Sequence, residues 1–140
     1  MKLFKKGLVF RLAIAAITIL SGCSKNNDQP SANTDEAAAA RVVGTYKGTL
    51  NDFTKEYYNA TIIITKESGS KVKIAPKSGE AYSHVTTKIV TVQAILGIDD
   101  CAAQDPQGNL SYTAAQKTLK FLSKSTSAGD VIFSFEGTKQ

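Results

Sequence analysis

The chain has 140 residues, and its formal net charge of +5 is concentrated at one end. Lys2, Lys5, Lys6 and Arg11 lie in the first 22 residues and no acidic side chain does, which leaves 13 basic against 12 acidic side chains in the remainder. A mature chain so near neutral, with no basic patch interleaved with aromatics, argues against nucleic acid as a partner. The 118 residues after position 22 suffice for one domain with a modest core.

The basic start runs into an apolar stretch over residues 12–20, the layout of a secretory signal peptide and too short for a transmembrane anchor. Leu20-Ser21-Gly22-Cys23 follows, with small residues suited to a signal peptidase directly before a cysteine. The tetrapeptide resembles the lipobox of bacterial lipoproteins. That resemblance implies that Cys23 is diacylated on its sulfur, becomes the mature N-terminus and ties the protein to a membrane. Ser24 resembles the residue found in lipoproteins passed on to an outer membrane, which places the protein in the cell envelope with periplasmic or surface orientation open. The expected division is a signal peptide over 1–22, a lipid-anchored flexible tether over 23–34, polar and aperiodic, and a folded domain over 35–140.

Thr34 can cap a helix that has Asp35 and Glu36 in its first turn and four alanines behind them, so about two helical turns lead into the domain. From Val42 the period changes to that of a strand. Gly44, Tyr46, Gly48 and Leu50 share one face, and Thr45, Lys47 and Thr49 the other. Asn51-Asp52 supplies turn chemistry. A second strand over 57–65 places Tyr58, Ala60, Ile62 and Ile64 on one side, and a third turns Val72 and Ile74 inward before Pro76 ends it. Residues 82–98 fit helical and strand periods alike. The Val, Ile and Thr of 85–93 favour strand because their stiff side chains suit a pleated surface, and 94–98 stays open. Residues 99–104 read as an irregular loop. Asp105-Pro106-Gln107-Gly108 then matches a type I turn. Strands carrying Leu110 and Tyr112, then Leu119 and Phe121, follow. A polar loop over 125–129 leads to a last strand with Val131, Phe133, Phe135 and Gly137 on one face. Seven short strands predict an all-β domain, an antiparallel barrel or a β-sandwich with a short N-terminal helix.

Gly44-Thr45-Tyr46 resembles the Gly-x-Trp signature that opens lipocalin barrels, with Tyr in place of Trp. Residues 43–50 and the closing segment 133–139 are similar to the first and last strands of small calycin-like lipoproteins of Bacteroidetes. The resemblance implies an up-and-down barrel of calycin type with an internal cavity. The chain has no Trp, and no Arg follows Arg41, so the pair that closes the lipocalin signature is missing. In a closed barrel Tyr46, Ile62, Ile64, Phe121, Phe133 and Phe135 face one another, and they are the candidate ligand-lining residues.

Catalytic signals are sparse. His84 is the single histidine and has no G-x-S-x-G partner, which fits a turn or surface residue better than a catalytic base. Asp99, Asp100 and Asp105 do not have EF-hand spacing and read as a solvated acidic loop. With Cys23 lipidated, Cys101 has no partner in the chain and fits a small buried hydrophobe, with no basic residue beside it in sequence. The five tyrosines read as barrel aromatics with a polar tip rather than a sugar-stacking platform. No metal or cofactor motif is present. The expectation is a non-enzymatic, membrane-anchored binding module for a small apolar ligand or an extended partner segment. The alternative is an interaction protein, such as a protease inhibitor or surface-complex subunit, without a ligand cavity.

Overall fold

In the computed structural model, residues 33–140 are described. The signal segment with Leu20, Ser21 and Gly22, the lipidation candidate Cys23, and most of the tether lie outside the described residues. The helix α1 spans Asp35–Val42, with the Thr34 hydroxyl accepting from the Ala37 amide at 3.2 Å. Nine strand segments follow: β1 Gly44–Asn51, β2 Glu56–Ser68, β3 Lys71–Pro76, β4 Lys88–Thr91, β5 Gln93–Ala94, β6 Cys101–Asp105, β7 Gly108–Thr113, β8 Thr118–Ser123 and β9 Ser134–Lys139.

All neighbours are antiparallel, in the order β4-β3-β2-β1-β9-β8-β7-β6-β5. Only Val92 separates β4 from β5, and this single run pairs with β3 through its first half and with β6 through its second. The sheet therefore comes round on itself as a nearly closed all-β barrel, with the first and last strands side by side. At the seam, the β4 amides that face away from β3 are met by side chains of the β6–β7 turn. Ile89 N donates to Gln107 Oε1 at 2.9 Å and Thr91 N to Asp105 Oδ2 at 3.2 Å. Closure by side chains satisfies backbone groups that an open edge would present to other chains.

Closure between β1 and β9 depends on glycine. Gly48 pairs with Gly137, and a Cβ on Gly48 would run into the Glu136 carbonyl and the Gly137 Cα. The strands can approach this closely only without a side chain there.

Both ends of the barrel are plugged. At one end α1 buries Ala38, Ala39 and Val42 against the strands, and the Tyr46 hydroxyl donates to the Val42 carbonyl at 2.8 Å. At the other end the loop before β4 brings in Tyr82 and Val85, and Thr86 and Val131 exchange hydrogen bonds across the two loops. Lys88 and Asp130 form a buried ion pair at the same end, with Nζ to Oδ2 at 2.5 Å.

Several expectations are corrected. Residues 101–105 are strand β6, not loop. Cys-Ala-Ala-Gln-Asp has little intrinsic strand preference, but pairing with β7 along its whole length decides the conformation. The strand expected over 85–93 begins only at Lys88, residues 82–85 turn instead, and 95–98 form a loop after β5. Tyr58 faces out, 72% exposed, whereas Tyr57 faces the barrel. The cause is a bulge: the register slips between Gly48 and Leu50, and Asn59 takes φ 57°. The strand with Phe133 starts at Ser134, yet Phe133 still points inward because its amide donates to Ser123 Oγ and its carbonyl accepts from Ser123 N.

Candidate functional site

The six inward residues named from the sequence are brought together. Tyr46, Ile62, Ile64, Phe121, Phe133 and Phe135 are all buried in one apolar core. Their neighbours are each other and the rest of that core. Phe121 and Phe133 rings lie 5.4 Å apart, and Tyr46 meets Tyr112 edge-on at 6.2 Å. Burial pushes the Tyr46 hydroxyl well above the usual phenol range, helped by Tyr112 and Cys101 nearby. The six side chains thus pack within one core, and Phe121 and Phe135 also line the groove on the barrel wall.

Two concavities lie on the wall of the barrel. The larger, about 630 Å³, is a groove across the outer face of β1, β9, β8, β7 and β6. Its floor follows from register. Thr49, Glu136, Lys120, Ser111 and Ala102 are successive cross-strand partners, as are Asn51, Ser134, Leu122, Asn109 and Gln104 in the next row. Outward side chains alternate with the buried ones on each strand, so two rows, polar except for Ala102 and Leu122, stand side by side over five strands, a span of ~20 Å at the usual strand spacing. Lys120 Nζ and Glu136 Oε1 pair at 3.1 Å in the middle, both well exposed. A second concavity of about 450 Å³ shares Thr49 and adds Lys47, Gly48, Tyr58, Asn59, Thr138 and Gln140. Tyr58 donates to Glu56 Oε2 at 2.8 Å, and Glu56 lines the larger groove, so the two concavities meet there. The bulge at Asn59 that turned Tyr58 outward builds this rim. Together they offer hydroxyls, side-chain amides, one ion pair, one exposed ring and the apolar surface of Leu122, with Leu110, Phe121 and Phe135 beneath.

A second polar cluster ties down the end of the barrel opposite α1. Asp52 Oδ1 accepts from Thr54 Oγ1, Thr54 N and Lys55 N at 2.7, 2.9 and 2.7 Å, and its Oδ2 faces Tyr57 Oη at 3.2 Å and His84 Nε2 at 2.9 Å. The Thr54 hydroxyl first, then the backbone amides and His84, hold the Asp52 carboxyl well below the usual carboxylate range against the opposing effect of burial. His84 Nδ1 lies 3.0 Å from the Ala81 carbonyl, so both ring nitrogens are engaged within the fold. His84 thus sits in a turn, half-exposed, and braces the loop against the β1–β2 connection. Asp130 is treated alike: Lys88 first, then the amides and hydroxyls of Thr126 and Ser127, lower its carboxyl.

The three loop acids do not converge. Asp99 pairs with Arg41 at 3.5 Å, Asp100 accepts from Ala114 N, and Asp105 serves the seam and its own turn. Among the described residues no group of three His, Cys, Asp or Glu is placed to hold a metal ion. Cys101 is buried, its Sγ 3.8 Å from the Ala38 carbonyl. Burial pushes its thiol up to about 11, although α1 brings Arg41 near enough to pull the other way. The sequence neighbours of Cys101 gave no hint of that cation. The tyrosines are divided: Tyr46, Tyr82 and Tyr112 are buried, Tyr57 is half-buried, and only Tyr58 is open.

Sequence reasoning did not single out the groove, because its residues read one by one as solvated outward positions. The usable signal was the run of small and amide-bearing residues at alternate positions of β6 and β7, Ala102, Gln104, Asn109 and Ser111. It also missed Lys88, whose parity with Val90 and Val92 marks it as inward. Comparison with protein families, with characterised proteins and with solved structures gives no match.

Proposed function

We propose that the protein is a lipid-anchored binding module of the cell envelope that holds an extended segment of a partner protein in its outer groove. The observation that carries this reading is the pairing of an interior whose rings pack on one another and a five-strand external groove lined by Asn51, Asn109, Ser111 and Ser134 together with Leu122 and Phe121. A groove in which amides and hydroxyls alternate with Leu122 and with the edges of Leu110, Phe121 and Phe135 suits the backbone and mixed side chains of an extended chain. The anchor rests on the residues from Leu20 to Cys23, and the outer membrane as the target on Ser24. A chain of strands in meander order, entered by a helix that ends just before Gly44-Thr45-Tyr46, supports kinship with the calycin-like lipoproteins. No catalytic role is part of this reading.

Two arms test it. A labelled fatty acid fed to cells tags the wild type and leaves Cys23→Ala untagged if the anchor reading holds; label in the variant refutes it. Ser111→Arg, an outward and exposed position in the groove, leaves the thermal unfolding curve near wild type and removes the partner from chemically crosslinked envelope complexes. Unchanged complexes with the groove so filled refute the groove reading.

A further inference from the structure

The β5–β6 loop carries the densest exposed apolar surface of the described residues. Ile95, Leu96 and Ile98 are 40%, 87% and 49% exposed, with Gly97 at φ 84° setting the turn between them. The loop is ordered by backbone bonds, Ile95 N to the Asp100 carbonyl and Ile98 N to the Ile95 carbonyl, both 3.3 Å. Three aliphatic side chains held at a tip in water forgo the stabilisation that burial would give them, which calls for an apolar environment outside the domain.

The position of the loop identifies that environment. It stands at the end of the barrel where the chain enters. Asp35 Oδ1, at the first residue of α1, accepts from the Ala94 amide at 2.8 Å, one residue before the loop, and Arg41 reaches Asp99 on its far side. Nine residues lie between Cys23 and Asn33, ten steps along the chain. However they are arranged, they reach no more than ~35 Å. A lipid on Cys23 therefore keeps the end of the barrel that carries the loop within about that distance of the bilayer.

We propose that the loop of Ile95, Leu96 and Ile98 seats the barrel on the membrane that anchors it, dipping its aliphatic tip into the lipid interface. This rests on the lipid anchor proposed above. The single acyl-bearing residue gives attachment; the loop adds a second, weak contact and fixes orientation. Asp99 is paired with Arg41 and Asp100 adds a further negative charge, so the rim of the loop has no excess positive charge to draw it to an anionic headgroup, and a zwitterionic surface suits it better. With the loop seated, the outer groove, which runs across the barrel wall, faces sideways and stays open to a partner.

The chain contains no Trp, so one introduced indole reports its own surroundings. The full lipidated chain carrying Leu96→Trp is reconstituted in phosphatidylcholine vesicles, with and without lipids brominated along the acyl chain. The seated loop predicts blue-shifted emission and at least a twofold quenching by the brominated lipid. Phe53→Trp, 59% exposed in its native form at the opposite end of the barrel, should stay solvent-like and unquenched. Ile98→Trp repeats the measurement should Leu96→Trp disturb the turn. Solvent-like, unquenched emission from both loop positions in protein that floats with the vesicles overturns the proposal. So does a blue shift that appears without vesicles and grows with protein concentration, which would assign the loop to a second copy of the chain. The anchor is judged separately: Cys23→Ala protein that still floats as well as the wild type refutes lipidation and leaves the quenching result to judge the loop.

Discussion

Replacing Phe133 by Ala asks whether the barrel interior is packed or hollow. Phe133 has no exposed surface, its ring lies 5.4 Å from that of Phe121, and its backbone is pinned to Ser123 by two hydrogen bonds. Losing the ring forfeits a transfer term of about 2 kcal/mol. The hole left between β8 and the loop before β9 adds about 2 kcal/mol more, because strands held in register on both sides cannot collapse into it. The sum, about 4 kcal/mol, falls within the range seen for aromatic truncation in packed cores and is a large part of the stability of a domain this size. Urea titration followed by far-ultraviolet circular dichroism measures it, with the slope unchanged and the midpoint lowered. The melting temperature should fall by about 15 °C. A loss of about 1 kcal/mol, together with wild-type binding of a fluorescent fatty-acid probe, would refute the packed interior and restore the carrier expectation drawn from the calycin resemblance.

Gly48→Ala should destabilise by about 1–3 kcal/mol, as overpacking does, because β1 and β9 must separate to admit a Cβ; a neutral effect by the same titration would show that the closure is loose. Acid should weaken the fold through Asp52 and Asp130. Both carboxyls are lowered from the ordinary 3.8 in the folded state, so their contribution is fully present above that value and is lost as pH falls below it; melting temperatures measured from pH 6 down to pH 2 should drop mainly below about pH 4, and Asp52→Asn should flatten that drop. Cys101 should resist iodoacetamide at pH 7.5, reacting at least ~100-fold more slowly than a free cysteine, since a thiol at about 11 is almost entirely protonated there, and Cys101→Ser should fold and keep its partner; rapid native-state alkylation would contradict its burial.

What the sequence made legible were the elements whose local preference agrees with their neighbours. Thr34 with the alanines after it, the alternation through Tyr46 and Leu50, Ile62 and Ile64, Val72 and Ile74, and the closing run from Phe135 to Gly137 each appear where period and capping place them. The failures share a physical origin in contacts distant along the chain. Cys101 to Asp105 is strand because β7 pairs with it. Tyr58 faces out because an extra residue in β2 flips the pleat. Lys88 is buried because Asp130, which follows a polar loop 42 residues later, arrives to neutralise it. The groove belongs to the same class. Lys120 and Glu136, or Ser111 and Ala102, become neighbours only through the register of five strands, and no period in one strand announces it.

The outer groove as the working surface of a filled barrel is tested most directly by a photo-crosslinking amino acid at Ser111, in the groove, and at Ser78, in the turn after β3. Both positions are exposed, and the measurement is made in intact cells with the lipidation signal in place. A discrete adduct of one partner from Ser111, absent from Ser78 and lost when Lys120→Glu reverses the charge at the centre of the groove, is the predicted result. Equal adducts from both positions, or an adduct from Ser78 alone, would contradict the account.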